Sequence, residues 1–186
     1  ERTNNEEFVL DDNLALDPAF EQSIPKDSVA YYLGSLIPIA TGQSALTILN
    51  ALKEKNAEKS MKLIQSFWLS TERATAYESW LKYKEQVRYT ERLFSNNFLA
   101  GYESDRGRVY LQYGAPNQVI AQETSAEEFP YEIWQFNKIG KFSNKHFVFY
   151  NPDLIANNYK LLHSDLIGEI KNMNWPMALR YKQVYN

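Results

Sequence analysis

The residues of this chain that could perform acid–base or nucleophilic chemistry fall in two short stretches, one around Asp105 and one around His163. His163 is one of only two histidines and is the candidate general base. The candidate acids are Glu103, Asp105, Asp165 and Glu169, and the candidate nucleophiles are Ser104 and Ser164. These residue types allow a hydrolase hypothesis, in which Asp105, His163 and Asp165 act together on a glycan or a peptide.

The spacing of these residues does not favour catalysis. The sequence around Ser104 has no nucleophile-elbow pattern, and a catalytic triad is recognised by geometry rather than by residue types. Carboxylate pairs occur readily in a chain with 23 acidic residues. His146 and His163 lack the spacing of metal ligands, and no glycine-rich loop stands between a strand and a helix to bind phosphate. We therefore predict no metal and no cofactor.

The stretch from Gly101 to Asn117 is better explained as a joint between a helix and a sheet. Gly101 is predicted to end a long helix in the left-handed conformation, and Gly107 to allow a bend before a strand. Asp105 is predicted to bind backbone amides of the following turn, or an arginine. On this interpretation the role of the stretch is mainly structural.

The same stretch holds two arginines and ends in a turn signal. Arg106 or Arg108 is predicted to pair with Asp105, or with a carboxylate on a neighbouring strand such as Glu132. Gly114 and Pro116 belong to a predicted turn that closes the stretch.

A recognition role is the alternative for these side chains. If they met near one end of a sheet, they would form a polar and aromatic surface of the kind that binds proteins or glycans. The residues of this hypothetical surface are Tyr102, Arg106, Arg108, Tyr113 and His163. An exposed sheet edge could also capture an extended peptide by strand addition.

The elements that position these residues divide the chain into a helical part, 28–99, and a sheet part, 100–186. Three short helices are predicted first, with Ala45, Leu46, Ile48, Leu49 and Leu52 as the apolar face of the second. A longer helix at about 72–98 follows, whose buried stripe is Trp80, Tyr83, Val87, Thr90 and Phe94.

The period of the pattern changes to two after Gly101. Strands are predicted at 109–113, 131–136, 146–150 and 159–163, and the short turns between them suit an antiparallel meander. The predicted fold class is α+β, a single domain over 28–186 with a helical half packed on an antiparallel sheet of about four strands. Residues 1–27 form a predicted acidic, extended lead-in or linker with a short strand at Phe8–Leu10.

Composition excludes several classes of function. The net charge is −3 and no basic run occurs, which argues against a nucleic-acid partner. There is no cysteine, so disulfides and cysteine-based sites are absent. No stretch reaches the roughly 18 apolar residues of a transmembrane helix. The chain does not begin with Met, and we expect it to be processed or part of a longer protein.

Several motifs, in one order, resemble the GWxTD domain family. Gly101-Tyr102-Glu103-Ser104-Asp105 is similar to the motif that names the family, with Tyr for its Trp and Ser for its Thr. The resemblance covers about residues 60–180 and continues in Asp105–Tyr110 (its DRGRxY run), Tyr113–Asn117 (YGxPD), Glu132–Trp134 (EIW), His163–Asp165 with Gly168-Glu169, and Asn174-Trp175.

The resemblance implies a location and a class of role rather than an activity. Such domains resemble the C-terminal part of exported proteins, especially of Bacteroidetes-like bacteria, and no activity is established for them. We therefore expect the cell envelope, either periplasm or outer membrane, and a protein partner in an outer-membrane or secretion assembly. Membrane association would come only from a missing anchor or from that partner. The leading hypothesis is a non-catalytic interaction or scaffold module; a hydrolase and a glycan- or small-ligand-binding domain are the alternatives.

Overall fold

A computed structural model of the chain describes residues 13–123, 125–154 and 157–180. The α-helices are α1 (Pro18–Ser23), α2 (Val29–Gly34), α3 (Gly42–Glu54), α4 (Ala57–Thr71), α5 (Ala76–Phe94), α6 (Asp105–Tyr113) and α7 (Trp175–Ala178). The strands are β1 (Gln118–Gln122), β2 (Tyr131–Ile139), β3 (Phe142–Tyr150) and β4 (Lys160–Ser164). The fold is therefore α+β, as predicted. The strand predicted at Phe8–Leu10 lies outside the described residues.

The described chain divides within α5 into two compact units, a helical unit that ends at Tyr89 and a sheet unit that begins at Thr90. The predicted stripe of α5 is confirmed, because Trp80, Tyr83, Val87, Thr90 and Phe94 are all buried. Among the described residues, no helix combines the length and the apolar character needed to cross a membrane.

The helical unit differs from the prediction in two places. Pro18 lies in the predicted lead-in but begins α1, because its fixed φ suits the first helical turn. Asp17 caps that helix by accepting from the Ala19 amide at 2.8 Å. Part of the predicted extended lead-in is thus a packed helix, with Phe20 buried. In α3, Leu46 and Leu49 are exposed, so the buried face is narrower than the pattern indicated.

The sheet unit contains an antiparallel meander in the order β1-β2-β3-β4, which confirms the predicted topology. Its core is aromatic: Trp134 of β2 pairs with Phe147 of β3, and both are buried together with Phe136 and Phe149. Val109 of α6 belongs to the same cluster of buried side chains. This core fixes which face of the sheet is turned towards α6.

The first predicted strand is wrong. Residues 109–113 are the second half of α6, and the first strand is instead β1. The alternating run at 109–113 is short enough to suit either element, and caps at both ends make it helical. Ser104 accepts from the Gly107 amide at the start of α6, and Gly114, with φ +88°, ends it. β1 was missed because all five of its residues are exposed, which leaves no alternation to detect.

The predicted roles of the first two glycines are also wrong. Gly101 does not end α5 in a left-handed conformation; it opens a 3₁₀ turn, Gly101–Glu103. Gly107 lies inside α6 against that turn, where a Cβ atom would sit 1.8 Å from the Gly101 carbonyl oxygen. The helix-stopping role belongs to Gly114. Gly101 and Gly107 are therefore required for a close backbone approach rather than for their freedom at positive φ.

Gly107→Ala should destabilise the sheet unit by about 3 kcal/mol or more, because the added methyl group overlaps backbone that cannot move without displacing α6. Gly114→Ala is the matched control, since nothing lies within 4 Å of its Cβ position and only the positive φ opposes it. That strain costs about 1–3 kcal/mol. Chemical denaturation of both variants measures the difference. Equal destabilisation would contradict the close-approach explanation.

Candidate functional site

The 3₁₀ turn at Gly101–Glu103 is bonded to α5 by the carboxylate of Glu91 and is capped by its own Glu103. The Gly101 amide donates to Oε2 of Glu91 at 2.6 Å, and the Ala100 amide donates to Oε2 of Glu103 at 2.9 Å. Burial, assisted by the charges of Glu103 and Glu91, raises the pKa of Tyr102 to about 12. Sequence reasoning missed Glu91; the signal was an acid near the C-terminal end of α5, where the helix dipole disfavours negative charge.

Ser104 and Asp105 connect this turn to α6 and to the sheet. The buried Ser104 hydroxyl donates to the Gly101 carbonyl oxygen at 2.8 Å and accepts from the Gly107 amide at 3.0 Å. Asp105 accepts from the Leu161 amide of β4 at 2.6 Å. The prediction that Asp105 binds a backbone amide is confirmed, although the amide belongs to a distant strand. The bond to the following turn is made by Ser104 instead.

Arg106 is a buried cation with a complete set of partners. One guanidinium nitrogen donates to Oε1 of Glu132 at 2.7 Å, which confirms that predicted pair, and another donates to Oδ1 of Asn157. The guanidinium carbon lies 4.0 Å from the ring centroid of Tyr159 and 4.9 Å from that of Phe94. Burial lowers the pKa of Arg106 and Glu132 offsets part of this, so the side chain stays charged.

The other oxygen of Glu132 is also used. Oε2 accepts from the indole nitrogen of Trp134 at 2.8 Å, two residues along the same strand. The carboxylate therefore joins the cation of α6 to the aromatic core of the sheet. A buried ion pair of this kind fixes geometry more than it adds net stability, because both charges lose their hydration.

Arg108 does not pair with either predicted acid but with Glu169. Two guanidinium nitrogens donate to the two carboxylate oxygens at 2.9 and 2.8 Å, and the Tyr113 hydroxyl donates to Oε1 at 2.7 Å. Burial alone would raise the pKa of Glu169, but the bonds from Arg108 and Tyr113 lower it overall. The same bonds outweigh burial at Arg108 and raise its pKa.

His163 and Asp165 are engaged separately from Asp105. Nδ1 of the buried His163 accepts from the Asn172 amide at 3.1 Å, so the neutral ring carries its proton on Nε2, and the ring stacks on Trp175. Asp165 accepts from Nδ1 and from the backbone amide of His146 at 3.0 and 2.9 Å. The hydrogen bonds of the three residues in the hydrolase hypothesis thus run to three different sets of partners.

Two of the five residues of the hypothetical polar and aromatic surface are buried. These two residues are Arg106 and His163, and each makes hydrogen bonds and ring contacts inside the protein. Arg108 and Tyr113 both point their polar ends at the one carboxylate of Glu169. The residues that carry the motif's chemistry therefore stabilise the fold from within.

Arg108, through its pair with Glu169, and His163 hold the segment that follows β4. We name residues 166–177 the presenting segment. Every third residue is turned inwards: Leu166 is buried, the Glu169 side chain binds Arg108, the Asn172 amide binds His163, and Trp175 stacks on His163. Four apolar side chains at the other positions of the segment are exposed to solvent, with exposed fractions of 78% at Ile167, 58% at Ile170, 73% at Met173 and 66% at Met177.

These contacts link the motifs in one network: the stretch at 101–114, the carboxylate before Trp134, and the segment from His163 to Trp175. A family model for the GWxTD domain matches residues 34–175, more than half of the 186-residue chain. The chain belongs to the GWxTD domain family. The match begins earlier than residue 60, so the GWxTD domain includes α3 and all of α4. Searches of curated proteins and of solved structures found no significant match.

Within 13–123, 125–154 and 157–180, no group of three or more histidine, cysteine, aspartate or glutamate side chains could hold a metal ion.

Sequence reasoning did not identify the presenting segment, because its repeat of three matches neither the helical nor the strand period.

Glu132→Gln should destabilise the domain by about 3 kcal/mol, because an amide cannot accept from both Arg106 and Trp134 and the buried cation loses its counter-charge. Glu85→Gln is the matched control: Glu85 pairs with Arg88 on α5, and both side chains are mostly exposed. The Glu85→Gln substitution should change the free energy of unfolding by no more than about 0.5 kcal/mol. Chemical denaturation of both variants decides, and a cost at Glu132 no larger than at Glu85 would contradict this account.

Protonation of His163 should loosen the presenting segment. Burial lowers the pKa of His163 below its ordinary 6.5, so the neutral ring is favoured in the folded state. Its contribution to stability is fully present above pH 6.5 and is lost as the pH falls through the lower folded value. NMR titration in a His146→Gln variant isolates the signal, since the chain has two histidines. Titration of His163 at or above 6.5 would refute this prediction.

Proposed function

We propose that this GWxTD domain is a non-catalytic interaction or scaffold module, which binds a partner protein through the outward side chains of the presenting segment. The observation that carries the proposal is the alternation of anchored residues and exposed apolar residues along that segment. From Leu166 to Trp175 every third residue is buried in the core, paired with Arg108 or in contact with His163, and the intervening Ile167, Ile170 and Met173 remain more than half exposed. Anchored apolar side chains of this kind bind with little loss of entropy.

The chemical character of the exposed side chains supports a protein as the partner. Met is enriched at protein interfaces, and its flexible thioether adapts to irregular surfaces. Isolated exposed apolar residues need no explanation, but Ile167, Ile170, Met173 and Met177 fall within eleven residues of chain. The partner we propose therefore presents an apolar surface to this segment.

The proposal extends to location. Family membership, together with the exported character that the resemblance implies, supports a cell-envelope setting, in the periplasm or at the outer membrane. We propose that the chain acts there as part of an outer-membrane or secretion assembly, and that any membrane association comes from an anchor outside this chain or from the partner.

Two other functions compete with this proposal. A hydrolase using Asp105, His163 and Asp165 would need these groups to act together on one substrate, whereas their hydrogen bonds run to three different partners. A glycan-binding domain would need aromatic faces in an open groove, whereas Trp80, Trp134 and Phe147 are buried. The internal use of these side chains favours the interaction module.

Ile170→Asp combined with Met173→Asp should abolish capture of a stoichiometric partner from the solubilised envelope of the source organism, because the charges oppose desolvation of the surface. Leu46→Asp is the control, since Leu46 is similarly exposed but lies on α3 in the helical unit. The measurement is affinity purification with the full chain, quantified by mass spectrometry. The double variant should remain folded, because both side chains already face solvent.

Two results would overturn parts of the proposal. Equal capture by the double variant and the Leu46→Asp control would remove the presenting segment as the binding surface. Turnover of a glycan or peptide by the purified chain, lost in a folded Asp105→Asn variant, would establish the hydrolase instead. A partner found only in the cytoplasmic fraction would overturn the envelope location.

A further inference from the structure

The two edges of the sheet are treated differently by the rest of the chain. At β4 the chain covers the edge, because the Leu161 amide donates to Asp105 and the Ser164 amide donates to the Ile170 carbonyl oxygen. At the other edge β1 has β2 as its strand neighbour in the described structure. All five residues of β1 are exposed. Alternate residues of an edge strand point backbone N–H and C=O groups away from the sheet, ready to pair.

β1 carries none of the usual features that prevent edge pairing. Its sequence, Gln-Val-Ile-Ala-Gln, has no charge and no proline, and its pairing with β2 is regular over the whole strand. Soluble proteins commonly protect an edge with lysine, proline or a bulge. Val119 and Ile120, on opposite faces of the strand, are each 48% exposed. The strand is therefore both unprotected and apolar on two faces.

The sequence of β1 is close to a palindrome centred on Ile120. In an antiparallel pair of two copies, Gln118 would lie opposite Gln122, Val119 opposite Ala121, and Ile120 opposite Ile120 of the second copy. We propose that two copies of this chain associate through β1, joining their sheets edge to edge about a two-fold axis at Ile120. A two-fold interface requires this self-complementarity, and the uncharged strand meets its copy without like-charge repulsion.

The pairing would extend the apolar rows that already cross the sheet. Ile120 is paired with Ile133 of β2, which is paired with Val148 of β3, so this row would continue through the axis into the second copy. Val119 is paired with Trp134, and its row on the opposite face would continue through Ala121 of the second copy. The association uses a surface distinct from the presenting segment, so it stands independently of the proposed function.

Single cysteines in this cysteine-free chain test the register directly. Ile120→Cys should form a disulfide-linked dimer on mild oxidation, because directly opposite Cα atoms lie about 4.5–5.5 Å apart, within disulfide range. Val119→Cys is the matched control with the same exposure. Its nearest copy is the diagonal neighbour at about 7–8 Å, so it should form little dimer. A mixture of Val119→Cys and a tagged Ala121→Cys should give the mixed dimer in preference to either homodimer.

Two results would overturn the proposal that two copies pair through β1. Equal oxidation of Ile120→Cys and Val119→Cys, with no preference for the mixed dimer, would mean random collision of exposed thiols. A wild-type chain that sediments as a monomer throughout a concentration series, with no rapid Ile120→Cys crosslink, would exclude the pairing. Either outcome would leave the presenting segment as the only proposed interface, and the partner capture described above tests that segment separately.

A charge at the axis gives a second, independent readout. Ile120→Lys places two ammonium groups directly opposite each other, so the sedimentation of the full chain should shift from dimer towards monomer. Ile167→Lys, on the presenting segment and 78% exposed, should leave the dimer unchanged. Circular dichroism confirms that both variants are folded. A dimer unaffected by Ile120→Lys, or dissociated equally by Ile167→Lys, would refute the assignment to β1.

Discussion

The close approach of Gly107 to the carbonyl group of Gly101 is the constraint on which the rest of the sheet unit depends. Only hydrogen fits between α6 and the 3₁₀ turn before it, and Ser104 closes the contact by bonding to both residues. Once α6 starts at this point, Asp105 meets the edge of β4 and Arg106 meets Glu132. The contact between the two glycines therefore sets the position of α6, and with it the bonds from its polar side chains to β2 and β4.

The charged residues of the domain act as positioning groups. Arg106 contacts two aromatic rings and is paired with Glu132. Arg108 donates two hydrogen bonds to Glu169. Charges buried in this way add little net stability compared with apolar packing, but a wrong geometry leaves them unpaired at high cost. They select one arrangement of α6, β2 and the presenting segment. Asp105 and His163 contribute in the same manner, as acceptors for backbone amides.

Because these polar groups bond inside the protein, the exposed apolar residues are the better candidates for an interaction surface. Interaction surfaces are recognised by what they leave exposed, and here two regions stand out for different reasons. The presenting segment has exposed side chains on an anchored backbone, whereas β1 has exposed backbone groups in an uncharged strand. We propose the first as the surface for a different protein and the second as the surface for a second copy of the chain.

The sequence by itself determined the elements whose signals are local and repeated. The α5 stripe from Trp80 to Phe94 has helical spacing over five positions, and β2 and β3 are aromatic strands separated by a clear turn. The motif order identified the GWxTD family, and residue chemistry predicted both the bond from Asp105 to a backbone amide and the pairing of Arg106 with Glu132.

Only the tertiary structure decided the rest, because the deciding contacts join residues far apart in sequence. Residues 109–113 could be strand or helix by pattern, and the capping and packing of α6 made them helix. Arg108 had several acids within plausible reach, and the return of the chain after β4 brought Glu169 to it. The sequence around Gly107 predicted a bend before a strand, but Gly107 lies inside α6 and packs against Gly101. Local composition names the groups that can bond, but the path of the chain selects which of them meet.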